Sequence, residues 1–407
     1  MVKNSLMVKN LTILIFFLAA GSLLVPSVVV GQPADLLSPA QRSAGWIELF
    51  DGHSLFGWHP TSEANWKVSD GTIRVTKGDP GFLMTTTEFA NYELYVEFQA
   101  AAGTNSGIFL RTPLVPTDPQ QDCYELNIAP PENPFPTGSL VGRVPVALVS
   151  HVPSDEPRWH EFLVLADGPR IKVYLDGQPV VDYRDPHPVL RGRIGLQFRE
   201  GAVAFRNVRL RPVGLESIFN GRDLTGWDTT RTEKSRFEVT REGELRVTDG
   251  RGQLESEGTY GDFVLQLECF VAGDHLNSGI FFRCIPGDNM NGYESQIHNG
   301  FRDGDPTQPV DCGTGGIFRR QNARRVVAGD HAWFTKTIIA DGHHMAVWVN
   351  GYQVSDWTDT RPPHANPRKG RRKKAGTLAI QGHDPTTDLR FRHFRIGELP
   401  PERSGLK

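Results

Sequence analysis

The sequence predicts an all-β protein built from two tandem β-sandwich or jelly-roll domains. Three observations support this prediction: a repeated set of motifs, short segments in which polar and apolar residues alternate, and Asp-Gly or Asn-Gly dipeptides between such segments. Alternation with a period of two is typical of strands that bury one face. The dipeptides accept the positive φ angles of tight hairpin turns. No long segment after residue 31 shows the 3.6-residue period of an amphipathic helix.

The repeat divides the chain into two copies. Residues 47–58 correspond to 216–227, 105–111 to 277–283, 124–128 to 293–297, 174–177 to 348–351 and 205–208 to 391–394. Because the motifs keep their order and their offset grows only slightly, the repeat indicates tandem domains rather than a short-period solenoid. We expect domains at residues 45–212 and 215–398, preceded by a linker at 32–44.

Within each copy, the strands and turns follow from local patterns. Residues 93–98 and 170–175 of the first copy and 263–269 of the second alternate as half-buried strands do. Asp176-Gly177 and Asn350-Gly351 mark equivalent hairpin turns in the two copies. Many short strands in a domain of this size favour a sandwich of two sheets.

The composition describes a folded chain with an ordinary charge balance. The 407 residues include 42 glycines, 29 prolines and 4 cysteines, and the formal net charge is −3. A dedicated nucleic-acid-binding protein normally carries a basic excess, so we expect no nucleic-acid partner. Four cysteines in this length also exclude a small scaffold held together by disulfides.

The export prediction depends on the first 31 residues. Lys3 and Lys9 lie in a basic segment that precedes an uncharged apolar run over residues 11–30. This order is typical of a signal peptide that is removed from the exported protein. The run is also long enough to span a bilayer, so an uncleaved anchor is the alternative. We expect residues 1–31 to be a signal peptide and the rest to be secreted or periplasmic, without a stable membrane span.

Five motifs together resemble the 3-keto-disaccharide hydrolase family. They are Phe-Asp/Asn-Gly-x-x-Leu-x-Gly-Trp, Asn-Ser-Gly-Ile-Phe-x-Arg, Gly-Tyr-Glu-x-Gln-Ile, Thr-Gly-Gly-Ile and Gln-Gly-His-Asp. The resemblance covers about residues 45–398 and implies a concanavalin A-like jelly-roll fold in each copy. It also implies that the protein acts on glycosides whose C3 hydroxyl has been oxidised to a ketone.

The two copies differ in these motifs. The second keeps the Tyr-Glu-x-Gln-Ile-His, Thr-Gly-Gly-Ile and Gln-Gly-His-Asp segments, whereas the first has Asn127 in place of Gln296 and no histidine near Gln197. We therefore expect the active site in the second copy. The first copy is a degenerate version, which leaves a binding domain, a scaffold or altered chemistry as its role.

The second copy contains the residue types that cleavage of a 3-keto-glycoside needs. The ketone acidifies the hydrogen on C2, so a base can remove it, and the enolate can then expel the glycosidic oxygen from C1. This route requires a base, an acid for the leaving group and an electrophile for the enolate oxygen. We predict Glu294, His298 and His383 as catalytic residues. Direct hydrolysis would instead need two carboxyl groups flanking the bond.

The predicted substrate contacts come from side chains near these three residues. Strand alternation places Glu294, Gln296 and His298 on one face, and arginines and an exposed indole could hold an anion or stack on a sugar ring. The predicted substrate-binding residues are Asn277, Arg283, Gln296, Arg319, Trp348, Gln381 and Asp384. A polar stripe is also normal on the outer face of a sandwich strand, so a purely structural role remains the alternative for each residue.

The sequence leaves metal binding and disulfide pairing open. Suitable ligand types for a divalent metal are present, but they lack a compact metal-binding spacing; they are Glu294, His298, His383 and Asp384. Among the cysteines, Cys284 and Cys312 are the pair that we favour, because both lie at loop edges near the predicted site.

The tryptophans and a basic segment have two interpretations each. Trp58 and Trp227 occupy equivalent positions, as do Trp159 and Trp333, which favours core packing over sugar contact. Residues 368–374 contain six basic side chains in seven, which indicates either a solvated loop or a surface for an anionic polysaccharide.

Three function classes follow from these observations. The first is an exported enzyme that cleaves 3-keto-glycosides or 3-keto-disaccharides by hydrolysis, or by elimination and hydration. The second is a non-catalytic, lectin-like carbohydrate-binding protein, and the third is an envelope scaffold, since sandwiches of this kind serve all three roles. A carbohydrate is the expected partner, and the oligomeric state is left open.

Overall fold

The computed structural model describes residues 37–147, 152 and 158–401. The predicted signal peptide at residues 1–31 and the start of the predicted linker lie outside the described residues. The rest of that linker contains one short helix, α1 (Pro39–Ser43), which begins after a capping box formed by Ser38 and Gln41. Within the described residues, no helix has the length and apolar character that a membrane crossing requires.

All other regular elements are strands. The first half contains β1 (Ile47–Glu48), β2 (Trp58–Pro60), β3 (Lys67–Ser69), β4 (Thr72–Val75), β5 (Gly81–Thr85), β6 (Tyr92–Ala100), β7 (Asn105–Thr112), β8 (Tyr124–Ile128), β9 (His160–Asp167), β10 (Arg170–Leu175), β11 (Gln178–Arg184), β12 (Arg193–Glu200) and β13 (Val203–Pro212). The second half contains β14 (Glu216–Ser217), β15 (Trp227–Asp228), β16 (Arg236–Val239), β17 (Leu245–Thr248), β18 (Gly252–Tyr260), β19 (Phe263–Val271), β20 (Ser278–Cys284), β21 (Tyr293–Ile297), β22 (Trp333–Asp341), β23 (His344–Val349), β24 (Tyr352–Thr358), β25 (Gly376–Gly382) and β26 (Asp388–Glu398).

Each half is a sandwich of two antiparallel sheets with the same topology. In the first half, an eight-stranded sheet has the order β11-β10-β9-β6-β13-β4-β3 with β1 beside β13, and a five-stranded sheet has the order β2-β5-β12-β7-β8. In the second half, β24-β23-β22-β19-β26-β17-β16 with β14 beside β26 faces β15-β18-β25-β20-β21. The predicted all-β class with two sandwiches is confirmed.

The core of each half lies between its two sheets. Along β6, buried and half-buried residues alternate over the whole strand, as expected when one face packs inward and the other meets solvent. Strand β20 is buried at every position. Trp58 and Trp227 are buried as predicted, and each indole N–H donates to a backbone carbonyl, of Leu49 and Ile218 respectively.

The second repeated tryptophan pair has a different environment from the one predicted. Trp159 and Trp333 are half-buried on the outer faces of the eight-stranded sheets. Arg206 covers the ring of Trp159 at 4.0 Å, and Arg392 covers the ring of Trp333 at 4.0 Å. These residues therefore form equivalent cation–π pairs rather than core contacts.

The cysteines carry free thiols, so the favoured Cys284–Cys312 disulfide is not present. Cys284 lies in the buried end of β20, whereas the Cys312 sulfur accepts a hydrogen bond from the Arg319 backbone at 3.5 Å. Cys269 is buried in its strand, as predicted.

A buried contact joins the two halves. The Trp348 indole on β23 donates to the Glu48 carbonyl at 2.9 Å, and the Glu48 N–H donates to the Gly351 carbonyl at 2.8 Å. Trp348, Val264 and Ile339 pack into the hydrophobic core of the first half, although their strands belong to the second. This outer face of the second eight-stranded sheet is thus covered by the first half.

Arg191 forms the main ionic link between the halves. Its guanidinium is 4% exposed and pairs with Glu88 of the first half at 3.0 Å and with Asp262 of the second at 3.4 Å. It also pairs with Asp341 and donates to the Pro400 carbonyl at 2.9 Å. One buried cation therefore balances carboxylates from both halves.

We expect Arg191→Gln to lower the free energy of unfolding by about 3 kcal/mol, because removing one partner of a buried ion pair leaves the others uncompensated. Urea denaturation measures this loss. The matched control is Arg170→Gln, whose pair with Asp182 is half exposed and whose loss should change stability far less, because solvent screens it. Equal effects in the two variants would contradict the interpretation.

Candidate active site

The candidate site lies on the solvent-facing side of the second half's five-stranded sheet. The strand registers place Gln253 beside Gln381, and Phe281 beside both Ala379 and Glu294. These side chains share one face because directly opposite residues in antiparallel strands point the same way. The opposite face carries Leu254, Ile280, Ile297 and Ile380 into the core.

A cleft of about 350 Å³ opens on this face. The side chains that line it are Arg251, Asn277, Asn289, Met290, Glu294, Asp311, Phe318, Arg368, Gln381 and His383. The cleft therefore brings together Glu294 and His383 of the predicted catalytic set with Asn277 and Gln381 of the predicted substrate contacts.

Glu294 is the buried carboxyl group of the cleft. Its side chain is 6% exposed, and its nearest cation is the Arg368 guanidinium at 3.6 Å. Burial raises the pKa of Glu294 to about 7; Arg368 opposes this shift and the nearby Asp311 adds to it. Near neutral pH the group can therefore both accept and release a proton.

Asp311 orients the amides on one side of the cleft. Its Oδ2 accepts hydrogen bonds from Asn277 Nδ2 and from Gln296 Nε2, the latter at 2.8 Å. Gln296 is completely buried, and within the described part of the chain its Oε1 has no hydrogen-bond donor. Gln381 Oε1 likewise lacks a donor there, while Gln381 Nε2 contacts the Met290 sulfur at 3.4 Å. Gln381 lines the cleft, whereas Gln296 is not part of its described lining. The predicted substrate contact of Gln296 therefore needs correction, because its side chain is completely buried and binds Asp311 instead.

His383 and Asp384 form a hydrogen-bonded pair at the end of β25. His383 Nδ1 lies 2.7 Å from Asp384 Oδ2, which leaves Nε2 as the other proton-exchanging nitrogen. Hydrogen bonds from Thr386 are the main reason that the pKa of Asp384 is lowered, so this carboxylate stays ionised. An ionised carboxylate on one nitrogen fixes the orientation of the imidazole.

Arg368 reaches the cleft from the connection between β24 and β25. This connection spans residues 359–375, whereas its counterpart in the first half spans only 185–192. Arg368 Nε donates to the Met290 carbonyl at 2.7 Å, and the guanidinium lies 5.3 Å from the centre of the Phe281 ring. Part of the predicted basic segment is therefore a wall of the cleft, while Lys369, Lys373 and Lys374 are exposed.

Arg319 and Arg251 lie at the rim. Arg319 is exposed, and its guanidinium lies 5.1 Å from the centre of the Phe318 ring. It also lines a smaller depression, whose walls include Glu294 and Arg368 of the cleft. Arg251 is exposed and lines the cleft itself. No ion pair of either arginine occurs within the described residues.

The structure separates His298 from the other two predicted catalytic residues. Strand β21 ends at Ile297, so the alternation that directs Glu294 and Gln296 does not extend to His298. The His298 ring stacks on His275 with 6.2 Å between ring centres, and its Nδ1 accepts a hydrogen bond from Gly300 at 3.2 Å. His298 is absent from the described lining of the cleft. The prediction that His298 is a catalytic residue therefore needs correction.

Arg283 also needs correction as a substrate contact. Its side chain is completely buried, and it donates to the carbonyls of Gly261 at 2.8 Å and Arg372 at 3.3 Å, and to Asp262 at 2.8 Å. The physical reason is a register shift after Phe281 together with a φ of 49° at Arg283, which turn the side chain away from the cleft.

Arg111 of the first half repeats this arrangement. It has a φ of 51°, is completely buried and donates to the carbonyls of Ala90 at 2.8 Å and Val189 at 2.8 Å. The arginine of the Asn-Ser-Gly-Ile-Phe-x-Arg motif is therefore a structural residue in both halves.

Trp348 is the third correction. Its side chain is 1% exposed in the contact between the halves and cannot stack on a sugar ring. The sequence predicted an exposed indole because the first half has no tryptophan at this position, but the first half itself covers this face.

The equivalent face of the first half is largely apolar. Phe82 and Met84 stand at the positions of Gln253 and Glu255, as the strand registers show. The rings of Phe82 and Phe109 meet edge to face with 4.6 Å between their centres. Glu125, Gln197 and Arg199 occupy the positions of Glu294, Gln381 and His383. The first half thus keeps a carboxyl group but lacks the imidazole.

Sequence reasoning missed Asp311 and gave Arg368 no role in the site, because it interpreted residues 368–374 as a solvated loop or as a surface for an anionic polysaccharide. Asp311 immediately precedes the Cys-Gly-Thr-Gly-Gly-Ile segment, and Pro134 stands at its position in the first half. A residue-by-residue comparison of the two copies could have found Asp311. Within residues 37–147 and 158–401, no group of three or more His, Cys, Asp or Glu side chains is arranged to hold a metal ion.

Comparison with known proteins finds one family twice in this chain. The 3-keto-alpha-glucoside-1,2-lyase-like domain matches residues 45–211 and 214–397. The 3-keto-disaccharide hydrolase of Bacteroides thetaiotaomicron is 34% identical over 77 residues, which are 16% of this chain and 27% of that protein. The chain thus matches only about a quarter of that relative's length.

Solved structures with similar folds each cover less than half of the chain. A Parabacteroides distasonis protein provisionally described as a glycosyl hydrolase has 17% identity and a TM-score of 0.38, over 44% of this chain and 98% of its own. The carbohydrate-binding module CBM66 from Bacillus subtilis has 16% identity and a TM-score of 0.31, over 38% of this chain and 95% of its own.

Proposed function

Because the chain belongs to the 3-keto-alpha-glucoside-1,2-lyase-like family, which matches both halves, we propose that its second half cleaves 3-keto-glycosides. The observation that carries the proposal is the convergence of Glu294, Arg368 and His383 on one cleft. These side chains supply the base, the electrophile and the acid that elimination next to a ketone requires.

Glu294 is the proposed base that removes the hydrogen from C2. Its buried position makes the carboxylate more basic than an exposed one, and the guanidinium of Arg368 at 3.6 Å supports its ionised form. A base whose pKa is near the working pH combines a substantial ionised fraction with a strong driving force for proton transfer.

Arg368 is the proposed electrophile for the oxygen on C3. Loss of the C2 proton moves negative charge onto this oxygen, and a fixed cation in a partly closed cleft stabilises the charge. Arg368 is held in place by the Met290 carbonyl and the Phe281 ring, so it need not reorganise during the reaction.

His383 is the proposed acid. Asp384 holds its Nδ1 at 2.7 Å, so a proton on Nε2 can pass to the glycosidic oxygen as the bond to C1 breaks. The products are the free alcohol and a sugar with a C1–C2 double bond conjugated to the ketone. Addition of water across this double bond, with hydroxyl on C1 and hydrogen on C2, then gives the 3-keto-sugar, so the net change is hydrolysis.

Direct hydrolysis by two carboxyl groups is the second candidate, because Asp311 and Glu294 line the same cleft. This route does not use the ketone. Purely lectin-like binding is the third, since the amides of Asn277, Asn289 and Gln381 line the cleft and could bond sugar hydroxyl groups without any chemistry.

One experiment separates the three candidates. The protein is incubated with a 3-keto-glucoside and with the matching unoxidised glucoside, with and without a chelator. We expect cleavage of the 3-keto-glucoside alone, with exchange of the C2 hydrogen for solvent deuterium. Cleavage of both substrates without exchange would favour direct hydrolysis, and binding without cleavage would leave only the lectin-like function.

We also propose that this activity is exported. Lys3, Lys9 and the apolar run over residues 11–30 support the proposal. N-terminal sequencing of the protein recovered outside the cytoplasm is expected to begin close to Gln32. Recovery only from the cytoplasm, with an intact N-terminus, would overturn it.

A further inference from the structure

A completely buried lysine lies beneath the strand that carries Glu294. Lys336 on β22 is 0% exposed, and its Nζ donates to the carbonyls of Ser295 at 3.0 Å and Gln296 at 2.8 Å. Both carbonyls belong to β21, in the opposite sheet of the sandwich. Lys336 therefore bridges the two sheets directly behind the cleft.

The buried charge has no carboxylate partner within 4 Å among the described residues. Burying an ammonium group without a counter-ion is costly, and an apolar side chain of similar size normally fits such a place better. The first half has such an apolar side chain, because Phe162 occupies the equivalent position on β9 and is 0% exposed. The two halves share their topology, so the fold itself does not require a lysine here.

We propose that Lys336 is a positioning residue that fixes β21 from within the sandwich and keeps the Glu294 carboxylate charged. Two hydrogen bonds to the consecutive carbonyls of Ser295 and Gln296 hold the strand next to Glu294, whose side chain lines the cleft. The ammonium adds a positive potential across a single sheet, where the surroundings screen it poorly. That Glu294 is the reacting group rests on the function proposed above.

Other charged and titratable groups surround Lys336 and Glu294. Arg368 and Arg319 on the cleft side also favour ionised Glu294, whereas Asp311 disfavours it. On the core side, Lys336 faces the Cys269 thiol of β19, whose pKa burial raises to about 12, so it is neutral. Burial lowers the pKa of Lys336 to about 8, and Glu294 opposes this shift. At pH 7 the lysine therefore still carries its charge.

The test replaces Lys336 in two ways and follows the titration of Glu294. Lys336→Met removes both the charge and the hydrogen bonds, whereas Lys336→Gln removes the charge and can still donate to a carbonyl. Carbon-13 NMR of labelled glutamate, with the Glu294→Gln protein identifying the signal, gives the pKa directly. We expect both variants to raise the pKa of Glu294 by about one pH unit.

Activity gives a second measurement. A shift of one unit lowers the ionised fraction of Glu294 at pH 7 by about fivefold, so kcat/KM for a 3-keto-glucoside should fall by about that factor and recover at higher pH. Lys336→Met should lose additional activity that pH does not restore, because β21 is no longer held. The control is Lys67→Met, which removes an exposed charge from β3 of the first half.

The outcomes are distinguishable. An unchanged Glu294 titration in folded Lys336→Gln, or an equal shift in Lys67→Met, would overturn the inference. If the titration shifts but no 3-keto-glycoside is cleaved by the wild-type protein, the proposed function fails and the coupling between Lys336 and Glu294 stands.

Discussion

Glu294→Gln is expected to lower kcat/KM for a 3-keto-glycoside by about 10²–10⁴, the usual contribution of a general base. The amide nearly matches the carboxyl group in shape and keeps its place beside Phe281 on the sheet. It cannot accept the C2 proton, however. Steady-state kinetics together with the rate of deuterium exchange at C2 measures the effect on proton transfer itself.

The first half provides the matched control. Glu125 stands at the position of Glu294 and also has a pKa raised by burial, but its surroundings include Phe82 and Phe109. Glu125→Gln should leave the activity unchanged. If Glu125→Gln abolishes cleavage and Glu294→Gln does not, the active site is in the other half.

The pH dependence follows from the same carboxyl group. A base acts only when deprotonated, and the pKa of Glu294 is about 7. The acid limb of the kcat/KM profile of the wild-type protein, where activity rises with pH as Glu294 loses its proton, should therefore be centred near pH 7. An acid limb centred near 4.5, the ordinary value for a glutamate, would contradict the assignment of Glu294 as the base.

The contribution of Glu294 to the stability of the folded protein should fall with rising pH, whereas its contribution to kcat/KM should rise. The folded protein keeps the Glu294 proton up to about pH 7, whereas the unfolded chain releases it near 4.5. Between these values the folded state binds more protons, so the contribution of Glu294 to stability falls as pH rises. Glu294→Gln lacks this loss and should become more stable relative to the wild type across that interval, which urea denaturation at several pH values would measure.

Alternation with a period of two predicts the direction of a side chain only as far as the regular strand extends. Both Glu294 and Gln296 lie inside β21, so a period of two gave their common face correctly. His298 lies one residue beyond the strand, where the period no longer applies. Arg283 lies after a register shift, which reverses the direction of its side chain.

Other parts of the site depend on contacts between distant segments. Trp348 is buried because the first half covers β23, and a pattern within one copy contains no information about this contact. Arg368 reaches Glu294 through a long connection whose path is set by local hydrogen bonds, such as the one to the Met290 carbonyl. The sandwich fold itself was predictable, because alternation, turns and the repeat are all local properties of the chain.

Arg283→Met is expected to lower the free energy of unfolding by about 3–5 kcal/mol, the usual cost of removing one member of a buried charged pair. The substitution leaves Asp262 without its 2.8 Å partner and leaves the Gly261 and Arg372 carbonyls without donors. Arg283→Lys keeps the charge but has a single donor group, so its loss should be smaller. Urea denaturation followed by tryptophan fluorescence measures both.

Arg111→Met distinguishes a structural role from a substrate contact. Arg111 makes the corresponding hydrogen bonds in the first half, far from any group of the candidate site. If the motif arginine supports the fold, both Met variants should lose stability, and Arg283→Met should lose more, because Arg283 pairs with Asp262 whereas Arg111 bonds the neutral Asn91. Arg283→Lys should keep the KM of the wild type within about twofold, since a group outside the cleft makes no contact with the substrate. A large rise in KM for Arg283→Lys without loss of stability would restore Arg283 as a substrate-binding residue. The physical expectation is the reverse, because a guanidinium with no solvent exposure and several backbone acceptors has no donor that a sugar can reach.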